Sequence, residues 1–362
     1  MAEFTMEELK QKAEQYNGLK TTHQIVYSDA REMKEVKSNS ISLMVTSPHY
    51  PMIEMWDKMF AEQNQEVGKA VKEHNGDLAF ELMHKELDKV WKETYRVLRD
   101  GGIACINIGD ATRKVNGSFK LYPNHARIIT YCISLGFHVL PEILWRKPAN
   151  KPNKFMGSGM LPVGAYMTLE HEYILILRKG IKREFKTEAE KLHRQVSAFF
   201  WEERNIWFSD VWDIRGDKQI LNDNKVRERS ASYPKELTCR LINMFSVQGD
   251  IILDPFLGTG TTILGAILTG RNSIGIEIDK HFSDIIEKRI TNVKEIADEY
   301  LKERIKKHNE FVEKRTKDKG ELGYSNKYYN FPVMTRQELN LKLPKLEAIR
   351  EVNKGLFEAE YT

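Results

Sequence analysis

The 362-residue chain has little cysteine: three residues, Cys105, Cys132 and Cys239, scattered and odd in number. That excludes a disulfide framework. No pair has zinc-ligand spacing, and the ten histidines form neither an HExxH nor an H-x-x-x-H arrangement, so no metal site is expected. Cys105 and Cys132 lie in apolar segments and read as core residues. No apolar run approaches the roughly 20 residues that cross a bilayer. The opening "MAEFTMEELKQKAEQYNG" lacks the basic start and apolar centre of a signal peptide. A cytoplasmic protein with no membrane association is the expectation. Neither charge sign dominates: 56 Lys and Arg against 52 Asp and Glu give a net +4. That balance permits a polyanionic partner without requiring one, because local patches matter more than the total. No internal repeat is visible.

What is present is an alternation of buried strands and helices. After a helix expected over 7–16, "HQIVYSDA" reads as a strand ending in an acidic turn, and "ISLMVTSP" as a second strand. The stretch 57–98 turns helical late on, with Leu82, Leu87, Val90, Trp91, Tyr95 and Leu98 on one side. Asp100-Gly101-Gly102 stops it, and "IACINIG" follows as a strand. A helix over 124–135 ends at Gly136; the strands "FHVLPEILW" and "YILILRK" flank a Gly/Pro/Lys/Asn loop at 147–164. From 180 to about 230 the chain is charged and aromatic, without a sustained period. Then come a helix, "YPKELTCRLINMF", and a strand–loop–helix–strand unit. A long helix is expected after Lys280, with Phe282, Ile286, Ile290, Val293, Ala297, Tyr300 and Leu301 as its apolar stripe. Residues 321–362 give mixed signals and no clear element. Such alternation argues for a parallel-type α/β sheet.

Two strand exits carry the chemistry. In "ILDPFLGTGTTILGAIL" a strand ends at Asp254, Gly258 and Gly260 turn the chain, and Thr261 and Thr262 open a helix. Glycines let backbone N–H groups approach a ligand, and a helix N-terminus favours an anionic group. Glu277, at the end of the next strand, can accept from two ribose hydroxyls. No Gly-Lys-Ser/Thr follows, so this is not a P-loop, and the third glycine of a dinucleotide site is missing. A cofactor with a ribose but no pyrophosphate fits better, against the plain alternative of an ordinary glycine turn. The second exit is "TSPHYPMIEMWD", a Ser-Pro-His-Tyr turn with aromatics at Tyr50 and Trp56.

Together these motifs resemble the β class of S-adenosylmethionine-dependent DNA amino-methyltransferases, most of all the N4-cytosine-specific members. "DPFLGTGTT" is similar to their cofactor loop, and "TSPHY" to their catalytic tetrapeptide, usually D/N/S-P-P-Y/F, in the β-class order. The resemblance runs over 24–288 and takes in "YSDA", "ILWRKPANKP", "EHEYILILRKG" and "SASYPKEL". It implies a Rossmann-like α/β methyltransferase fold, a mostly parallel central sheet flanked by helices, with a smaller recognition region. The implied division is an N-terminal helical arm (1–22), a catalytic half (23–180), a candidate target-recognition insertion (181–229), a cofactor-binding half (230–295) and a C-terminal helical extension (296–362).

The resemblance also implies roles. Asp254, Pro255, Phe256, Gly258, Gly260, Thr261 and Thr262 would line the methionine part of S-adenosyl-L-methionine; Glu277 would take the ribose, and Asp29 with Ala30 would border the adenine. Tyr233 and Pro234 would close that pocket. Ser47, Pro48, His49 and Tyr50 would form the catalytic turn. An exocyclic amine is a poor nucleophile because its lone pair is delocalised into the ring. Acceptors aimed at its hydrogens, the Ser47 hydroxyl and the Pro48 carbonyl, favour a pyramidal nitrogen. The target base leaves the duplex and stacks on Tyr50. Ser in the first position points to cytosine N4; Asp or Asn there more often accompanies adenine N6. Methylation at carbon 5 needs a thiolate, typically from Pro-Cys, and no cysteine follows a proline. His49 departs from the family's second proline; packing or orientation is favoured over proton transfer.

Double-stranded DNA is the implied partner, with a cognate restriction endonuclease possible and a monomer or homodimer as the assembly. Arg146, Lys147, Lys151 and Lys154 suit phosphate contacts. Arg194, Arg204, Arg215, Lys218, Lys225 and Arg227 lie in the recognition candidate, whose bland alternative is packing through Phe199, Trp201, Trp207 and Trp212. An adenine or RNA methyltransferase, and a catalytically silent nucleic-acid-binding protein of the same fold, are the competing readings.

Overall fold

The computed structural model describes residues 18–147, 156–157, 159–215 and 233–362. The helix expected over 7–16, Lys151, Lys154, Lys218, Lys225 and Arg227 lie outside the described residues. The strands in chain order are β1 (Lys20–Val26), β2 (Ile41–Thr46), β3 (Leu98–Ile108), β4 (Ala111–Val115), β5 (Ser118–Tyr122), β6 (Phe137–Arg146), β7 (Met156–Gly157) and β8 (Ala165–Tyr166). They continue with β9 (His171–Lys179), β10 (Val211–Asp213), β11 (Ile251–Asp254), β12 (Asn272–Ile276), β13 (Tyr324–Ser325), β14 (Pro332–Val333), β15 (Leu346–Asn353) and β16 (Leu356–Tyr361). Ten of them form one sheet in the order β10-β6-β9-β3-β2-β11-β12-β1-β16-β15; β4–β5, β7–β8 and β13–β14 are separate two-stranded hairpins.

The run β3-β2-β11-β12-β1 is parallel throughout, as is the β6–β10 pair. β2 is buried along its whole length, because helices cover both faces of a parallel core. Its side chains alternate. Met44 enters one core with Ala104, Ile106, Trp91 and Leu87, while Leu43 and Val45 join Cys105, Ile252, Leu237 and Ile242 on the other face. All three cysteines are buried and unpaired.

Several elements differ from the sequence expectation. The strand "YILILRK" lies within β9, which runs antiparallel to both β3 and β6, so the sheet is mixed at this side. Residues 57–98 form three helices, Asp57–Gln63, Gln65–Lys72 and Gly76–Val97, because Asn64 and Asn75 cap new starts by accepting from Glu66 N and Leu78 N. The stripe after Lys280 is buried at Phe282, Ile286, Ile290, Val293, Ala297 and Leu301, but Asn292 divides it into helices Ser283–Thr291 and Val293–Lys319. The C-terminal extension is helical only to Lys319. It ends in the β15–β16 hairpin, which pairs antiparallel with β1. The period-two burial of Phe357, Ala359 and Tyr361 is what makes it a strand.

The 23–180 and 230–295 stretches share one sheet. β11 and β12 sit between β2 and β1 in the same sheet. In the described part of the 181–229 segment, helix Glu188–Val196 has no buried residue, whereas helix Trp201–Trp207 leads to β10 with Trp207 and Trp212 buried and Trp201 partly exposed. The helix Asn124–Leu135 ends as expected at Gly136, in the left-handed region at φ 101°. Among the described residues no helix is long and apolar enough to cross a membrane.

Candidate active site

Parallel strands place their C-terminal ends on one edge, where crevices form at a reversal of strand order. Here that edge gathers the exits of β1, β2, β11 and β12. Because β9 is antiparallel, its start at His171 and Glu172 arrives there too. An open cleft lies along this edge, and both Ser47–Tyr50 and Pro255–Thr259 line it.

The wall between the two motifs is a buried hydrogen-bond hub. Asp254, 1% exposed, accepts from the Thr46 hydroxyl at 2.6 Å, from Phe256 N at 3.0 Å, from Tyr233 OH at 3.2 Å and from the Thr262 hydroxyl. Burial pushes its carboxyl above the usual value, and these donors oppose the shift. Asp254, Thr262, Gly260 and Pro234 therefore lie behind the cleft wall, while Tyr233, Pro255, Phe256, Gly258 and Thr261 face it. Gly258 and Gly260 take φ 53° and 84°, the left-handed region that favours glycine.

One end of the cleft fits a nucleoside. Glu277 accepts from Gly258 N at 2.7 Å and Asp279 N at 2.8 Å. Of the roughly four lone-pair sites of a carboxylate, about two stay open to hydroxyl donors. Burial raises its pKa to about 7, as expected of a carboxylate short of donors. Asp29 and Ala30 line the same end, with Arg31 bridging Asp29 to Glu86 at 2.6 Å. Ser28 Oγ is buried there without a hydrogen-bond partner among the described residues. Ile278 leaves 51% of its surface exposed at the rim beside Phe282, an apolar shelf for a flat ring. An orphan hydroxyl, an under-solvated carboxylate and an apolar shelf fit the adenosine of S-adenosyl-L-methionine. Ser28 and Ile278 were not singled out in the sequence; their only signal is adjacency to Asp29 and Glu277.

At the other end stands the tetrapeptide. The Tyr50 ring lies on Gly109 so closely that a Cβ there would sit 2.9 Å from Cε2. Its hydroxyl donates to Glu172 Oε2 at 2.8 Å and lies 3.1 Å from Ser47 Oγ. Asn107 Nδ2 reaches Glu172 Oε2 at 2.7 Å, Tyr50 OH at 2.8 Å and Ser47 Oγ at 3.3 Å. Lys147 ion-pairs with the other oxygen of Glu172 and stands 4.4 Å from the centre of the Trp145 ring. Sequence reasoning missed Asn107 and Glu172, which lie 60 and 125 residues from Ser47 and reach it only through the β2–β3–β9 pairing. His49 packs edge-on against Trp56 at 4.4 Å and Phe256 at 5.7 Å, and burial lowers its pKa to about 4. Met52 is buried, whereas Trp56 and Met59 help wall the cleft.

The basic candidates divide. Arg146 and Lys147 end β6, and Arg215 follows β10, on the cleft edge; Arg146 pairs with Asp213 at 2.6 Å and Arg215 is exposed. Arg194 lies on the opposite edge: its neighbour His193 bonds Gln248 O, ahead of β11, and Arg194 itself covers the Phe185 ring. Arg204 covers Phe208, the residue that follows its own helix. Among the described residues no group of three or more His, Cys, Asp or Glu could hold a metal.

The chain is similar to known proteins. The model of a family described as DNA methylase, grouping N6 and N4 enzymes, matches residues 41–288. The Type II methyltransferase M.MthZI of Methanothermobacter thermautotrophicus is 50% identical over 345 residues, 95% of this chain and 96% of its own. M.MjaI of Methanocaldococcus jannaschii, also a Type II methyltransferase, is 53% identical, covering 75% of this chain and 91% of its own. A Thermus thermophilus protein described as a DNA modification methylase, solved with S-adenosyl-L-methionine, superposes with a TM-score of 0.59 at 31% identity, over 75% of this chain and 94% of its own. The cytosine-N4-specific PvuII DNA methyltransferase shares the fold, with a TM-score of 0.50 and 19% identity over 79% of this chain and 93% of its own. This chain belongs to the N6/N4 family of S-adenosyl-L-methionine-dependent DNA methyltransferases.

Proposed function

We propose that the chain methylates the exocyclic N4 amine of a cytosine turned out of double-stranded DNA, at one short recognition sequence. The observation that carries this reading is Ser47, a hydroxyl at the first position of the catalytic turn, on the same cleft as the nucleoside-shaped end. S-adenosyl-L-methionine supplies an electrophilic methyl group when bound. What the chain supplies is placement: Glu277, Ser28 and Ile278 hold the adenosine, and Phe256 and Tyr233 wall the space towards Ser47. The Ser47 hydroxyl and the Pro48 carbonyl accept from the amine hydrogens, and Tyr50 offers its face to the flipped base. Fixed acceptors of this kind need no reorganisation during reaction.

Arg146, Lys147 and Arg215, on the cleft edge, are proposed to hold phosphates; the position of Arg194 gives it no part in that surface. The similarity to Type II methyltransferases supports a role as the modification half of a restriction–modification pair. The test is to treat unmethylated plasmid DNA with the purified protein and cofactor, then sequence it by a method that resolves modified cytosine. Modification confined to one short motif is expected; modification absent, or spread without sequence preference, contradicts the proposal.

A further inference from the structure

The base pocket contains a directed chain of hydrogen bonds. Tyr50 has one hydroxyl proton, and it points to Glu172 Oε2 at 2.8 Å. An ionised carboxylate only accepts, so this bond cannot run the other way. The oxygen of Tyr50 is then an acceptor towards its other neighbours, and the 3.1 Å contact with Ser47 has Ser47 as its donor. With its proton committed to Tyr50, Ser47 faces the cleft with a lone pair. Asn107 reinforces the same sense: the two hydrogens of its Nδ2 serve Glu172 at 2.7 Å and Tyr50 at 2.8 Å, and Ser47 Oγ is a longer third contact at 3.3 Å. The acceptor-only carboxylate also fixes the amide orientation of Asn107, which leaves its Oδ1 buried without a partner among the described residues, in a side chain 3% exposed.

We infer that Glu172 sets the polarity of this pocket, making Ser47 an acceptor and so selecting a base that carries an amine over one that carries a carbonyl. The inference rests on the proposed role of Ser47 as amine acceptor, and it holds equally for cytosine or adenine. Glu172 is a positioning residue, acting through Tyr50 and Ser47.

The substitution Glu172→Gln tests it because the same network can run backwards. Lys147 then takes the amide oxygen, the new NH₂ faces Tyr50, and Asn107 turns its orphaned Oδ1 to meet it. Tyr50 donates to Ser47, and Ser47 presents a proton to the cleft. Binding of two duplexes is measured with S-adenosylhomocysteine present, identical except for cytosine or deoxyuridine at the target. Duplex energetics are the same for both proteins, so comparing the two preference ratios isolates the pocket. Wild type should prefer the cytosine duplex, and Glu172→Gln should shrink that preference by about tenfold or reverse it. Tyr50→Phe, which cuts the link but keeps the ring, should shrink it too, and it serves if Glu172→Gln folds poorly.

An unchanged ratio in a folded variant, whatever its turnover, overturns the inference and leaves Glu172 a packing residue. A wild type with no preference for the amine overturns the acceptor role of Ser47, and the inference with it. If wild type methylates adenine instead, only the cytosine reading fails. The adenine and hypoxanthine pair then replaces cytosine and deoxyuridine, with the same two outcomes.

Discussion

The Thr46 hydroxyl donates to Asp254 across 2.6 Å and joins the last residue of β2 to the last residue of β11, 208 positions later in the chain. The catalytic turn begins one residue after Thr46, and the glycine loop one residue after Asp254. The β2–β11 pairing brings the two exits side by side, and this buried contact, which Tyr233 and Thr262 share, ties them together.

Removing the hub should cost much more than removing one spoke. Thr46→Val deletes one hydrogen bond and should destabilise by about 1 kcal/mol. Asp254→Ala leaves several buried donors unsatisfied and should cost about 3–5 kcal/mol. Urea unfolding followed by circular dichroism measures both; an Asp254→Ala cost no larger than that of Thr46→Val would contradict the hub.

Cofactor affinity should depend on pH through Glu277. Its pKa of about 7 in the free protein means the carboxylate proposed to accept ribose hydroxyls is fully formed only above that value. Affinity for S-adenosylmethionine, measured by calorimetry, should weaken by up to about tenfold per pH unit below 7. Glu277→Gln should be weak and flat. Folding stability of the free protein carries the opposite sign. The folded state holds a proton that the unfolded chain releases near its ordinary value of 4.5, so this group's contribution falls as pH rises from there through about 7. A flat wild-type affinity between pH 5.5 and 8, on the order of the window argued from that shift, contradicts the ribose role.

His49 should behave as an aromatic plate. Burial holds it neutral above pH about 4, and its ring meets Trp56 and Phe256 edge-on. His49→Phe should keep turnover within about fivefold of wild type, whereas His49→Ala, which opens a gap beside the cleft, should lose more. A pH–rate inflexion that disappears in His49→Phe would show proton transfer instead.

Much of this site was legible in the sequence because it sits on strand exits. A buried run followed by an unusual turn marks a C-terminal sheet edge, and two such exits in one α/β chain meet there. Tyr50, Gly258 and Glu277 came from that logic, Ser47 and Phe256 from the family resemblance of the same two exits, and all line one cleft. Asp254 belonged to the same motif, yet its four donors turn it inwards; a one-dimensional motif does not say which way a side chain points. Glu172 and Asn107 were hidden because strand order is not in the local pattern. β9 had to be antiparallel for Glu172 to reach Tyr50, and its apolar run reads alike in either direction. The C-terminal hairpin was missed for a related cause: its short alternation gains meaning only when β1 is there to pair with it.

Ser47→Ala should separate chemistry from cofactor binding. Losing one aligned acceptor should lower turnover about 10²-fold or more, while affinity for S-adenosylmethionine stays near wild type, since the adenosine end is held by other residues. Calorimetry beside methyl-transfer rates decides this. Loss of both would place Ser47 in the cofactor site.

The most direct test of the whole account is the identity of the product. DNA methylated by the purified protein with radiolabelled S-adenosylmethionine is digested to nucleosides and resolved by chromatography and mass spectrometry. The account predicts that the label travels with N4-methyldeoxycytidine; label in N6-methyldeoxyadenosine would contradict it.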